Sequence, residues 1–488
     1  MHPLARDYLS SFAEDAGLVD IDIDVAEAHA VALARSGVFT KRELRRVLRA
    51  YERSRSRARR EVGRGLRSAA GAPFHDIHPL VEKLVAEACG EALGGRVHLG
   101  KSRNDQVAAD ICIFARRRAL AVQDRAYQVQ LGLLALGARD RDELVPAFTH
   151  TRPAQPSTVG HWALAWVDAL GRDRERLLDA VRRLNRCPLG AAAVGGTSVP
   201  LDRRVAARLL GFDGVWPNSL DATGARDHVL ELLSALAILM STLSRLAGDV
   251  IHLSSDEVGV FAYPDDFADT SSAMPQKKNP DPLELLRARA AALAGALSGA
   301  LATVHGLPSG YSRDLQELKP ALWHGLAVAE SSARIAAEVA IRLRVRPGRG
   351  AEVLDRGYAA ALDLAEWLSL RRGVPFRRAH FAVGALVRAL SAQGRGFGAV
   401  SAAEASRILS APAGRPVALS AAEWKEASDL ARGAARRKGG GPGDFWALLK
   451  RSERDLDRLG GAARAIEALD ARGRRGLAAA VKRLEGRS

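Results

Sequence analysis

At 488 residues the chain is too long for one small core and long enough to bury a large one, so we expect several structural units. With 47% hydrophobic and 26% charged residues it is neither disordered nor fibrous, and 5% aromatics beside abundant Ala, Leu, Arg and Glu favour helices over strands. A net charge of +16 raises nucleic acid as a partner, but the runs Arg53 to Arg67 and Arg432 to Lys438 carry no aromatics and fit no nucleic-acid module, so solvated helix faces on a protein with anionic small substrates are the better reading.

Cys89, Cys112 and Cys187 lie far apart without metal-ligand spacing, which suits free buried thiols in a reducing cytoplasm. No apolar run reaches eighteen residues and the N-terminus lacks the apolar stretch of a signal peptide, so we expect a cytoplasmic protein with no membrane partner.

Residues 1 to 102 read as an N-terminal helical domain. Asp20, Asp22 and Asp24 form an acidic patch ahead of Glu27-Ala28-His29-Ala30, Thr40 and Glu43 make a capping-box pattern, and Asp76-Ile77-His78 heads another helix. The flexible stretch Gly94 to Gly100 suits a domain edge. It runs into His98-Leu99-Gly100-Lys101-Ser102-Arg103-Asn104-Asp105-Gln106, where Ser102 is a natural N-cap and Asp105 belongs to the first turn. At such a helix start, backbone amides, the Arg103 guanidinium and the Asn104 amide converge on an anion.

From 103 to 349 the pattern predicts long helices over 103–138, 156–185, 280–305 and 314–345, and another after Asn218. In the last of these Val229, Leu232, Leu236, Leu239, Leu243, Leu246 and Val250 alternate steps of three and four, as in a helix packed along its length against near-parallel partners. Polar motifs interrupt the helices. They are Phe148-Thr149-His150-Thr151-Arg152-Pro153-Ala154-Gln155-Pro156, Asn218-Ser219-Leu220-Asp221 with Arg226-Asp227, Asp269 to Pro280, and Tyr311-Ser312-Arg313-Asp314-Leu315-Gln316-Glu317-Leu318-Lys319. Each alone reads as a solvated loop or helix end. The loop from Asp269 to Pro280, Asp-Thr-Ser-Ser-Ala-Met-Pro-Gln-Lys-Lys-Asn-Pro, packs hydroxyls, ammonium groups and an amide against a helix start, a composition able to close over an anion. After Pro347-Gly348, residues 350 to 488 read as a smaller C-terminal helical domain containing Gly373-Val374-Pro375-Phe376-Arg377-Arg378-Ala379-His380.

Ser-Ser-x-Met-Pro-x-Lys-x-Asn-Pro, from Ser271 to Pro280, resembles the signature of the fumarase/aspartase superfamily, and Met274 to Asp281 resembles more narrowly the argininosuccinate lyases. The other motifs are similar to that family's in the same order, over residues 20 to 390. The departures are Leu99 and Lys101, Thr151 to Pro153 in place of Leu-Gln-Arg, Gly224-Ala225 in place of Ser-Asp, and Thr270 in place of the Gly before the two serines.

The resemblance implies a mainly α, three-domain fold whose central helices pool from four subunits into one bundle, a homotetramer with each active site shared between subunits. It implies elimination of fumarate from argininosuccinate through a carbanion-like intermediate, which needs a base, an acid and anion clamps but no metal or other cofactor. In these roles it places Ser271 as base, with Ser272 as runner-up, Lys277 beside it, and His150 with Glu284 as proton carriers. Substrate contacts fall to Ser102, Arg103, Asn104, Thr149, Arg226, Asn279, Tyr311, Gln316 and Lys319. The alternatives are a different N-succinyl substrate, such as adenylosuccinate or another amine adduct, an inactive structural homologue, or a basic nucleic-acid binder.

Overall fold

The computed structural model describes residues 2–67 and 74–485. Two short helices, Pro3–Tyr8 and Phe12–Asp15, precede three longer ones, α1 (Val19–Arg35), α2 (Lys41–Arg67) and α3 (Ile77–Cys89). The capping box ahead of α2 forms as expected: the Thr40 amide donates to Glu43 at 2.8 Å and the Glu43 amide to the Thr40 hydroxyl at 3.2 Å. The acidic patch is divided. Asp20 and Asp24 face Arg55 and Arg59 of α2, which also neutralises part of its basic run, whereas Asp22 is fully buried.

Next comes α4 (Arg103–Arg139), then a hairpin of β1 (Leu144–Thr149) and β2 (Arg152–Thr158), then α5 (Val159–Leu184) and α6 (Asp227–Ser254). A second, very short hairpin, β3 (Asp269–Thr270) and β4 (Lys278–Asn279), leads into α7 (Asp281–Val304), and α8 (Leu318–Arg342) ends the bundle. Every expected long helix is present with ends within a few residues. The heptad positions of α6 explain why: Leu232, Leu236, Leu239 and Leu243 are each 0% exposed, packed against α5, α7 and α8. Burial of such leucines stabilises by about 1.5–3 kcal/mol each, far more than helix propensity alone supplies.

Two helices, α6 and α7, are long and apolar enough to cross a membrane by length and composition, although charged residues interrupt both, so no uninterrupted apolar run reaches eighteen residues. The reason lies in the bundle. An interior helix needs the same apolar content as a membrane span, and α6 spends its apolar stripe on neighbours. In α7 only 22% of the apolar window is buried, with Leu285 and Leu301 about half exposed. Apolar helix faces of this size are rarely left in water.

The N-terminal helices share one continuous core with the bundle, so they pack without a separate core of their own. A second core lies within residues 360–427, built by α9 (Ala361–Arg372), α10 (Phe376–Ser391), α11 (Ala402–Ala413) and α12 (Ala421–Ser428). The last helix, α13 (Phe445–Glu485), leaves that unit and returns to the main body along α5 and α2, so the residues 350 to 488 expected as one domain are divided between two cores. Asp470 fastens α13 there. It pairs with Arg116, a guanidinium 0% exposed that also donates to Asn185 at 2.6 Å and to the carbonyls of Leu210 and Gly211 at 2.9 Å. Removing one partner of a buried pair strands the other charge, so Asp470→Ala is expected to lower unfolding stability by roughly 3–5 kcal/mol. Urea unfolding followed by circular dichroism checks this; a loss below about 1 kcal/mol would mean the pair is solvated.

Candidate active site

The bundle has two poles. The starts of α4, α6 and α8 and the ends of α5 and α7 lie at one, and the opposite termini, with both hairpins, lie at the other. This follows from connectivity, since α6 runs from Arg226 to the loop containing Ser271, and α7 runs back from it toward Tyr311. At 28 and 24 residues these helices are about 42 and 36 Å long.

The first pole holds a small polar cavity. Of the expected residues, Arg103, Arg226, Tyr311, Gln316 and Lys319 line it. Arg226 is 3% exposed and its guanidinium donates only to the carbonyls of Thr223 and Ala225, at 3.3 and 2.7 Å, leaving Nε without a partner. Burial holds it below the ordinary guanidinium value, and no carboxylate answers its charge among the described residues. Arg103 reaches Asp76 at 2.8 Å. Lys319, expected as a substrate contact, lines the cavity in a buried ion pair with Asp15.

Ser102 and Asn104 have partners within the chain. Ser102 caps α4 in a capping box with Asp105, as its spacing suggests, and the Asn104 amide donates to the Ala193 carbonyl at 2.9 Å. Asp105 also accepts from the amides of Gly190 and Ala192, both at 2.8 Å, tying the loop after Cys187 to the helix start; burial lifts its carboxyl to about 6. The Gly224 departure has a packing reason. A Cβ there would sit 2.5 Å from the Gly310 carbonyl oxygen, so a serine could not enter without moving the segment that carries Tyr311.

Sequence reasoning missed Ser11 and Asp15 in the cavity wall and gave no role to Asp76 and His78, although it noted the helix they head. Chain spacing holds no signal for Asp15, which meets Lys319 across more than three hundred residues.

At the second pole, Thr149 pairs with Arg152, which makes His150 and Thr151 a two-residue hairpin turn. Both have positive φ, 52° and 59°. Such turns favour Asn-Gly, and a β-branched residue there costs on the order of 1–3 kcal/mol, strain that characteristically gathers at functional sites. His150 and Thr149 are exposed, and no hydrogen bond or ion pair joins His150 to Glu284 in this chain.

The loop from Asp269 to Pro280 closes as a ladder, Asp269 opposite Asn279 and Thr270 opposite Lys278. A β-branched Thr fits that strand, which is what the usual Gly could not stabilise as well. The Ser271 hydroxyl oxygen accepts from the amides of Ala273 and Met274, at 3.3 and 3.1 Å. Among the described residues Ser272 has no such donors. Lys277 is exposed, Lys278 pairs with Asp265 at 2.6 Å, and Asn279 and Glu284 stand at the foot of the loop.

Residues 3–295 match the family model described as lyase, and residues 358–432 the one described as argininosuccinate lyase C-terminal. An argininosuccinate lyase of Moorella thermoacetica is 40% identical over 81% of this chain and 83% of its own, and one of Halorhodospira halophila is 39% identical over 83% and 85%. The crystal structure of EDDS lyase in complex with formate is similar over 99% of this chain and 96% of its own, with 27% identity and a TM-score of 0.85.

Proposed function

We infer that this chain, which belongs to the argininosuccinate lyase family, splits argininosuccinate reversibly into arginine and fumarate. The observation that carries this reading beyond family membership is Arg226, an enclosed guanidinium without a carboxylate of its own, set beside Arg103, Tyr311 and Gln316 in a polar cavity. A buried cation is costly unless an anion answers it, and a substrate carboxylate would do so.

The reaction removes a proton from the carbon beside the C–N bond, moves that electron pair into the new double bond, and releases the nitrogen with the bonding pair, to be protonated. Ser271 serves as base in this reading. A serine hydroxyl is a poor base until its alkoxide is stabilised, and the two amides on its oxygen, with Lys277 and the start of α7 nearby, provide that stabilisation. Asn279 holds the carboxylate on which charge develops. His150, supported by Glu284, carries the proton for the leaving nitrogen, with Thr149 as a substrate contact, and Ser102 and Asn104 shape the helix start that presents Arg103.

No single copy can bring these groups together, because the two poles lie some 40 Å apart. We propose that the second pole of neighbouring copies meets the cavity of the first in a homotetramer, the half-exposed apolar face of α7 being covered in that assembly. The cytoplasm is the compartment that suits its three buried free thiols.

Purified full-length protein incubated with argininosuccinate, without added metal, is expected to release fumarate and arginine in equal amounts. A panel including adenylosuccinate and other N-succinyl amines should give slower release. Turnover of a panel member with none of argininosuccinate would move the assignment to that substrate.

A further inference from the structure

The cavity wall contains a histidine whose inner ring nitrogen is already engaged. His78, 3% exposed, places Nδ1 2.8 Å from Asp22 and 4.0 Å from Asp110, and both aspartates are 0% exposed. Asp22 also accepts from the Gln106 amide, whose oxygen takes the Lys101 ammonium at 2.6 Å. The other acids of the cavity wall are paired, Asp15 with Lys319 and Asp76 with Arg103 and His75, whereas the nearby cations Arg226, Arg313 and Lys101 donate to carbonyl or amide oxygens. Asp110 alone has both oxygens unpartnered, as has one oxygen of Asp22. A proton held between the two carboxyls resolves that shortage, since buried polar groups without partners cost about 1–3 kcal/mol each.

We propose that Asp22 and Asp110 are positioning residues that hold His78 as an imidazolium, with Nε2 presented to the cavity as a donor to the anionic substrate. The lyase reading of the cavity is the premise for the substrate. Nδ1 is spent on Asp22, so the other nitrogen is the one left for the cavity the residue lines. The electrostatics agree in direction. Burial pushes the imidazole down, but the Asp22 carboxylate and its hydrogen bond raise it above the ordinary histidine value on balance; burial and the Asp22 charge lift the Asp110 carboxyl well above its own. One nitrogen or oxygen from each of the three side chains lies within 4.8 Å of the others, a cluster that could also hold a cation. With Nδ1 occupied and Lys101 one amide away, a proton answers the group more cheaply.

Deuterium exchange at the histidine C2 position, followed by peptide mass spectrometry on the full-length protein across pH and resolved from His75 by fragmentation, reads the His78 titration without requiring turnover. The wild-type midpoint is expected above the ordinary imidazole value, to fall by about one unit in Asp22→Asn, and to stay nearly in place in Asp110→Asn, whose amide can donate to Asp22 as the acid does. The alkaline limb of kcat/KM for the substrate that releases fumarate should move by the same amount in Asp22→Asn and vanish in His78→Gln, which keeps a donor that cannot titrate. A wild-type midpoint at or below the ordinary value, or a limb unchanged in His78→Gln, overturns the proposal even if Asp22→Asn fails to fold. Inactivity of the wild type on every succinyl amine would sink the lyase reading while the exchange result still decides the charge of His78.

Discussion

Ser271→Ala is expected to lower kcat by roughly 10²–10⁴-fold, the usual worth of a general base, while leaving the fold and assembly unchanged. The hydroxyl sits in a short surface hairpin and supports only the amides of Ala273 and Met274, which water can satisfy in the variant. KM should change little, because the clamps at Arg226, Arg103 and Gln316 belong to the other pole. Ser272→Ala, lacking any donor to its oxygen, should keep most activity. Rates followed by the ultraviolet absorbance of fumarate separate the two, and a crippled Ser272→Ala beside an active Ser271→Ala would reverse the assignment.

What the residues disclosed and what they hid divides along sequence distance. The heptads of α6, the cap at Ser102 and the capping box at Thr40 depend on neighbours within a turn or two, so helix positions and several ends were legible. The signature loop was legible as a loop for the same reason. Asp15 against Lys319, Asp22 against His78 and Asp470 against Arg116 depend on packing that brings remote segments together, and none leaves a trace in local spacing. The return of α13 to the bundle was hidden likewise: a Gly-rich loop looks like an internal link of one domain whether or not the next helix stays in it. Thr270 and Gly224, read as departures from a family pattern, become intelligible only beside what they touch, a strand partner at Lys278 and the backbone of Gly310.

The separation of the two poles has a direct consequence for mixtures. Arg226→Met removes a buried guanidinium that has no ion-pair partner among the described residues and puts an apolar chain of similar length in its place, a change that buried sites commonly tolerate. Without the carboxylate clamp the variant should be nearly inactive, as should Ser271→Ala. If each site takes its cavity from one copy and its signature loop from another, equal mixing of the two variants leaves about one quarter of the sites with both groups intact. The decisive measurement is fumarate release by such a mixture after native mass spectrometry has shown that subunits have exchanged. Recovery to about a quarter of wild-type activity is the result predicted here by random assembly, whereas fully exchanged oligomers that stay as inactive as either parent would place both groups of each site on one chain and contradict the shared site.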